Sequence, residues 1–362
     1  MKAILLFCVL FITSSVWASE FTLEKQKLKL SFEYESFVDA FRNEVLTPGL
    51  KANYLFKGKG KLGSNVLYQI EYQTGAKTNL ETTFQSGKLA SFLWSNRFNT
   101  SVTIPFGKCY AGSNFFLRHK FVSESANQFV DIFGGLGFRD LEGSAYFGFF
   151  PLQDWEVIAS ANISDVNFKE FLESDSRSKG ASLRISRRLD RMKINLDYRY
   201  KKIDYDRPVF INSDFGTVFP VDQFGHFVQQ KDDFQEVGLL FEFLRPFYFS
   251  GGYSYQINNS NNPGFSYRNH RLNFLVGTDL GDLFHLQAYG IAQRQNFDQS
   301  GPLQVPIFLD DSDYDTMGVS LVRSWNKSSE LEFGLQRLSH NSAFRELDAS
   351  KFVLFAALNY RF

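Results

Sequence analysis

Charged side chains at every second position are the residues of this chain best placed to do chemistry. Arg184 and Arg188 are interleaved with Leu183, Ile185 and Leu189, and Lys193, Asn195, Asp197, Arg199 and Lys201 with Ile194, Leu196 and Tyr198. Lys57, Lys59 and Lys61 repeat the spacing, while Glu236, Glu242, Glu330 and Glu332 supply acids elsewhere. Successive side chains of an extended backbone point to opposite faces, so each set becomes a charged ladder on one face. Such a ladder neither makes nor breaks bonds. It sets a field that orders water and sorts solutes by polarity and charge. Basic rows facing acidic rows across a water-filled space would place a transverse field there; the alternative is that the charges solvate a wide lumen or pair with one another, and in both cases they are expected to point inward.

Bond-making chemistry has little support. The histidines at 119, 226, 270, 285 and 340 are scattered, and no local motif joins a serine, a histidine and an acid. His270 and His285 fall on neighbouring predicted strands. Glycine loops that cradle phosphate and paired-cysteine metal motifs are missing. Asp310, Asp311, Asp313 and Asp315 resemble the start of a calcium loop, but Thr316 stands where glycine is needed and Val322 where a bidentate glutamate is needed. No catalytic residue, metal or cofactor is assigned.

The elements that must carry these ladders are β-strands. Leu28, Leu30, Phe32 and Tyr34 alternate with Lys29, Ser31, Glu33 and Glu35. Period-two alternation then recurs near 51–59, 66–73, 88–98, 154–164, 179–189, 192–201, 234–244, 247–257, 268–279, 283–294, 313–323, 329–338 and 351–362. Helical spacing is largely missing. Segment 99–153 mixes Gly, Phe and Ser around Pro105 and Pro151 and is assigned two or four strands by parity. Sixteen strands are expected, within a range of fourteen to eighteen, at ~21 residues per strand and connection. Short turns are predicted at 62–64, 190–191, 245–246 and 281–282, and long connections at 37–49, 74–87, 165–178, 202–233, 258–267, 295–312 and 339–350.

The 362 residues include 39 basic and 39 acidic side chains, a balance that gives no reason to expect nucleic acid. Yet 42 phenylalanines and 16 tyrosines are present, the mixture an apolar-out, water-in wall would require. Lys2, the apolar run from Ala3 to Ile12 and Val16-Trp17-Ala18 read as a cleaved export leader over 1–18. Cys8 would leave with it. Cys109 would then be the single thiol, excluding an internal disulfide.

Phe352, Leu354, Ala356, Leu358, Tyr360 and Phe362 keep the alternation running to the last residue. This ending resembles the closing strand of Gram-negative outer-membrane β-barrels, in which Phe352, Leu354, Leu358, Tyr360 and Phe362 would be the signal read by the barrel-assembly machinery. The resemblance identifies a class rather than a specific family. It implies an all-β fold, a transmembrane antiparallel up-and-down barrel over 19–362, set in outer-membrane lipid and lipopolysaccharide, with a homotrimer suggested by the porin likeness. Lys57, Lys59, Lys61, Arg184, Arg188, Lys193, Arg199, Glu236, Glu242 and Glu332 would line the pore. Phe210, Phe215, Phe219 and Phe224, in the unusually apolar connection 202–233, would fold into the mouth and narrow it. Tyr34, Tyr72, Trp94, Trp155, Tyr198, Tyr200, Tyr253, Tyr255, Trp325 and Tyr360 would form interfacial girdles. The function expected is passive diffusion of small polar or anionic solutes. The alternatives are an exopolysaccharide export barrel, a nonconducting scaffold or adhesin, and an outer-membrane hydrolase. Inward aromatics such as Phe355 keep the first two open.

Overall fold

The computed structural model describes residues 20–38, 44–63, 65–79, 91–123, 137–169, 175–209, 211–213, 216–244, 247–262, 265–298, 315–340 and 349–362. The expected leader lies outside them. Strands follow one another in the order β1 (Glu20–Val38), β2 (Glu44–Leu62), β3 (Val66–Asn79), β4 (Ser91–Phe106), β5 (Cys109–Ser123), β6 (Phe138–Phe149), β7 (Trp155–Phe168), β8 (Ser176–Leu189) and β9 (Met192–Pro208). After a small hairpin, β10 (Ile211–Ser213) and β11 (Gly216–Val218), come β12 (Gln229–Phe243), β13 (Tyr248–Ser260), β14 (Tyr267–Leu280), β15 (Phe284–Phe297), β16 (Asp315–Ser324), β17 (Ser329–His340) and β18 (Ala349–Arg361).

All strands except β10 and β11 form one closed antiparallel sheet, each beside its sequence neighbour and β1 beside β18. This is a sixteen-strand up-and-down barrel. Closure follows from the alternation: a sheet whose outward face is apolar must sit in hydrocarbon, where an unpaired backbone amide costs several kcal/mol, so no edge can be left open. Among the described residues no helix is long and apolar enough to cross a membrane.

Burial tells the two faces apart. On β1, Leu30, Phe32 and Tyr34 are exposed, whereas Ser31, Glu33 and Glu35 are buried. The buried row is the concave one, because its side chains reach past a neighbouring strand: Lys77 of β3 contacts Glu35 of β1, and Lys29 of β1 meets Glu332 of β17 at 2.8 Å. Side chains converge across a skipped strand only inside a curved wall. Register carries the same parity round the barrel, so Leu196, Leu239, Leu272, Phe333 and Leu354, all exposed, belong to the outer belt.

Segment 99–153 holds the end of β4 and the two strands β5 and β6. Alternation is blurred there because rings point inward (Tyr110, Phe116, Tyr146) while small residues (Ser113, Ala145, Ala161) point outward. Several strands are longer than predicted. β1 starts at Glu20 and runs to Val38, β2 starts at Glu44, β9 runs to Pro208 and β12 starts at Gln229. The predicted connections 37–49 and 202–233 are correspondingly shorter. Beyond the apolar belt both faces of the sheet are wet, so Lys201-Lys202, Asp204 and Asp232-Asp233 pair as strand without alternating in polarity. Tight turns cluster at the end of the barrel that holds the start of β1 and the end of β18. They place Gly63, Gly107 and Gly281 at φ of 63°, 65° and 70°, a left-handed backbone that other residues adopt only with strain.

Closure can be tested directly. In a Cys109→Ser background, cysteines at Ser31 and Ala357, direct partners across the β1–β18 seam, are expected to form a disulfide on mild oxidation, read as a nonreducing gel shift. An offset pair at Ser31 and Val353 should stay reduced.

Candidate functional site

The inward positions of the sixteen strands line a lumen with four stretches of wall. One is charged and centred on β1, β2, β17 and β18. A second, on β8, β9 and β12, stands diametrically opposite, since β1 and β9 lie eight strands apart in the ring. Between them run two mixed stretches, where inward hydroxyls and amides stand among charges such as Arg118, paired with Asp140 at 3.1 Å. Ser160 and Ser182 share a hydrogen bond of 2.7 Å, as do Ser164 and Ser178, beside Asn162 and Ser144. On the other side of the ring, on β13 to β15, Asn269 donates to Gln256 at 3.0 Å and to Gln293 at 3.1 Å. A wall of hydroxyls and amides can exchange hydrogen bonds with water and polar solutes at little cost.

Lys57, Lys59 and Lys61 face inward on β2. Glu24, at a β-bulge between Leu23 and Lys25, reaches Lys59 at 2.6 Å and Lys57 at 3.8 Å. Arg184, Arg188, Lys193 and Arg199 face inward on β8 and β9. Arg184 meets Asp197 at 2.6 Å, and Arg199 meets Glu236 of β12 at 3.2 Å. Glu242 stands opposite Lys193 in register, and Glu332 binds Lys29. Glu330 binds Arg361 at 2.5 Å.

The expected opposition of a basic wall to an acidic wall is therefore not what forms. Acids stand next to bases within each charged wall, because β12 adjoins β9 and β17 lies only two strands from β1. Each wall is zwitterionic, and the two face one another. Among the described residues Arg188, Lys193 and Lys25 form no ion pair, and neither do the inward acids Glu71, Glu156 and Glu242, so charges of both signs are left unpaired along the lumen.

A second ionic cluster ties the closing seam on the lumen side. Glu35 of β1 binds Lys351 of β18 at 2.9 Å and also Lys77, which reaches Glu33 at 3.3 Å, while Lys51 reaches Glu33 at 3.5 Å. Glu33, Glu35 and Lys351 are buried, and burying charge is tolerable only when each has a partner, as here. Lys29, Glu33 and Glu35 were visible as the charged face of the first strand. Their partners Lys77 and Lys351 lie too far away in sequence for any local pattern to connect them.

Four of the inward rings lie along the wall rather than across the lumen. Phe355 stands directly opposite Gly334, and a Cβ built on that glycine would overlap its ring. The ring therefore lies flat against the wall, with Lys29 Nζ 5.0 Å from its centroid. Tyr110 over Gly148, Tyr146 over Gly112 and Tyr289 over Gly318 repeat the joint, each a cross-strand pair in register. Tyr146 also bonds Thr103 at 2.5 Å, and Tyr110 donates to Glu156 at 2.8 Å, both past a skipped strand.

The remaining predicted features separate. His270 points outward, hydrogen-bonded to Tyr253, whereas His285 points inward to Asp279 at 2.8 Å, so the two cannot share a site. Among the described residues no group of three or more histidines, cysteines and acids is arranged to hold a metal. Asp310, Asp311 and Asp313 lie outside the described residues, as do Phe210 and Phe215 of the expected constriction. Phe219 and Phe224 sit in a compact turn closed by the hydrogen bonds from Phe224 N and His226 N to Asp222 and by Phe219 against Phe227. Both rings are exposed, Phe224 by 74%. Phe352, Leu354, Leu358, Tyr360 and Phe362 form one exposed outward row on β18 and its end.

No family model and no curated protein matches the chain. Similar solved structures include OmpT, an outer membrane protein of Vibrio cholerae, in its trimer form. It is 8% identical, with a TM-score of 0.49 over 95% of this chain and 100% of that one. The P. putida toluene transporter TodX is 10% identical, with a TM-score of 0.42 over 96% and 91%. A triple mutant of the Rhodopseudomonas blastica porin is 11% identical, with a TM-score of 0.36 over 95% and 100%. The fold assignment rests on the strand pairing rather than on these likenesses.

The flat-ring joint has a measurable consequence. Gly334→Val should lift Phe355 into the lumen and lower single-channel conductance, and adding Phe355→Ala should restore it. Unchanged conductance in the single variant would show that the ring has room elsewhere.

Proposed function

We propose that the chain is an outer-membrane channel for passive diffusion of small polar and anionic solutes. The inward surface carries this reading. Hydroxyl, amide and charged groups line the lumen on every side, and the inward rings of Phe355, Tyr110, Tyr146 and Tyr289 lie flat on glycines. A solute crossing such a space exchanges hydrogen bonds with the wall as it did with water. Arg188, Lys193 and Lys25, inward bases without an ion pair among the described residues, are the groups that would draw anions. In this reading the leader over 1–18 directs export, the outward row ending at Phe362 presents the chain to the barrel-assembly machinery, and the tight-turn end faces the periplasm.

A homotrimer fits the outer face of β5 to β8. Ser113, Ala145, Ala161 and Ala181 form a single row in register there, a flat stretch against which another copy could pack closely. Sedimentation in mild detergent should then give three protomers per particle, and Ala161→Trp should release monomers. A monomeric wild type contradicts the assembly.

Planar-bilayer recording tests the channel. The purified chain should conduct, with a reversal potential in a salt gradient that indicates anion preference. Arg188→Glu with Lys193→Glu should lower the anion-to-cation permeability ratio by roughly fivefold, the factor carried by about 1 kcal/mol of screened charge interaction. A nonconducting barrel would overturn the proposal in favour of a scaffold, and cation preference in the wild type would overturn its anionic part.

A further inference from the structure

The outer surface of β14 and β15 carries a feature the channel does not use. Arg294 of β15 stands directly across from His270 of β14, and Arg268 lies two residues from His270 on the same face. All three side chains are exposed and point away from the lumen, at the end of the barrel remote from the tight turns. Among the described residues neither arginine forms an ion pair. Asp315 of β16, on the same outer surface, accepts from the backbone N–H of Gln293 at 2.6 Å. His270 is fixed by a 2.8 Å bond between Nδ1 and Tyr253 Oη and by the Tyr255 ring at 4.8 Å, which leaves its Nε2 for another partner.

Beside His270, running across β13 and β12 to β9, lies a groove of about 430 Å³, lined by Leu196, Val237, Leu239, Tyr253 and Tyr255 and ending at His270 itself. A cationic cluster set at the head of an apolar groove on a lipid-facing wall has the shape of an amphiphile with an anionic head and a hydrocarbon tail. Outward arginines at this level have no function in pure hydrocarbon, where they would be costly, and they need an anion to neutralise them. Paired guanidinium groups suit a phosphate, which they bind through charge-assisted, often bidentate hydrogen bonds.

We propose that Arg268, His270 and Arg294 hold a phosphate of lipid A, the phosphorylated glycolipid anchor of lipopolysaccharide, while one of its acyl chains occupies the groove. The proposal rests on the outer-membrane placement above, since only the outer leaflet would present this lipid at the long-connection end. The groove faces away from the pore, so solute passage does not depend on it.

Binding of purified lipid A to the detergent-solubilised full-length barrel, followed by native mass spectrometry, tests this. Wild-type protein should retain lipid A carrying both phosphates and lose it when the phosphates are removed. Arg268→Ala with Arg294→Ala should weaken retention by roughly tenfold or more, the cost of losing charge-assisted contacts, while Leu239→Trp should fill the groove and weaken it with the arginines intact. Equal retention of lipid A by the double-alanine variant, or equal retention of the dephosphorylated lipid by wild type, would overturn the site. Conductance of the double-alanine variant should match wild type, so a failure of this proposal is distinguishable from a failure of the channel reading.

Discussion

Backbone hydrogen bonding without an open edge is the constraint on which the structure depends. A strand in hydrocarbon has no water to satisfy its N–H and C=O groups, so both of its sides must be paired, and the first strand must find the last. Here β1 meets β18 over a register that runs from Lys27 with Arg361 to Val38 with Ser350. Once that seam closes, each strand has one face toward lipid and one toward the interior, and polarity alternates as a consequence. The buried cluster of Glu33, Glu35, Lys77 and Lys351 reinforces the seam from inside, where its charges satisfy one another. Side chains on the outer face could not do the same, because they diverge.

Curvature raises a second problem, that of placing large rings on a concave surface without closing the space. Glycine on the neighbouring strand solves it. Gly334 under Phe355 and Gly148 under Tyr110 let a ring lie along the wall, covering backbone that glycine leaves bare. The same joint occurs outside, where Phe21 covers Gly58 and stacks on Phe56 and Tyr68 at 6.4 Å. An inward aromatic in this barrel is thus compatible with an open lumen. Phe355 by itself does not argue for an export barrel or a closed scaffold.

Much of this was legible in the sequence because period-two alternation is a direct record of two solvents. The strand count, the outward row from Phe352 to Phe362 and the inward parity of Arg184 and Lys193 all come from that record. It fails where the two solvents become one. Strand segments such as Lys201 to Pro208 continue into water on both sides and look like loop. It also fails where glycine and ring exchange places, as around Gly112 and Tyr146. The partners of charged residues were illegible for a different reason. Glu236 sits beside Arg199 and Glu332 beside Lys29 because of ring order and register, which no local window contains, so acids expected on an opposite wall are neighbours of the bases they neutralise.

Single cysteines placed one at a time along β9, at positions 193 to 200 in a Cys109→Ser background, test the division between wet interior and lipid exterior most directly. In reconstituted vesicles, odd positions should react with a water-soluble thiol reagent and even positions should resist it, while a fluorophore at the even positions is quenched by a lipid-dissolved quencher. A period of two in both signals, in opposite phase, is the expected result. Reactivity that is uniform along the strand, or a phase that exposes Leu196 and Tyr198 to water and hides Asp197 and Arg199, would contradict the account.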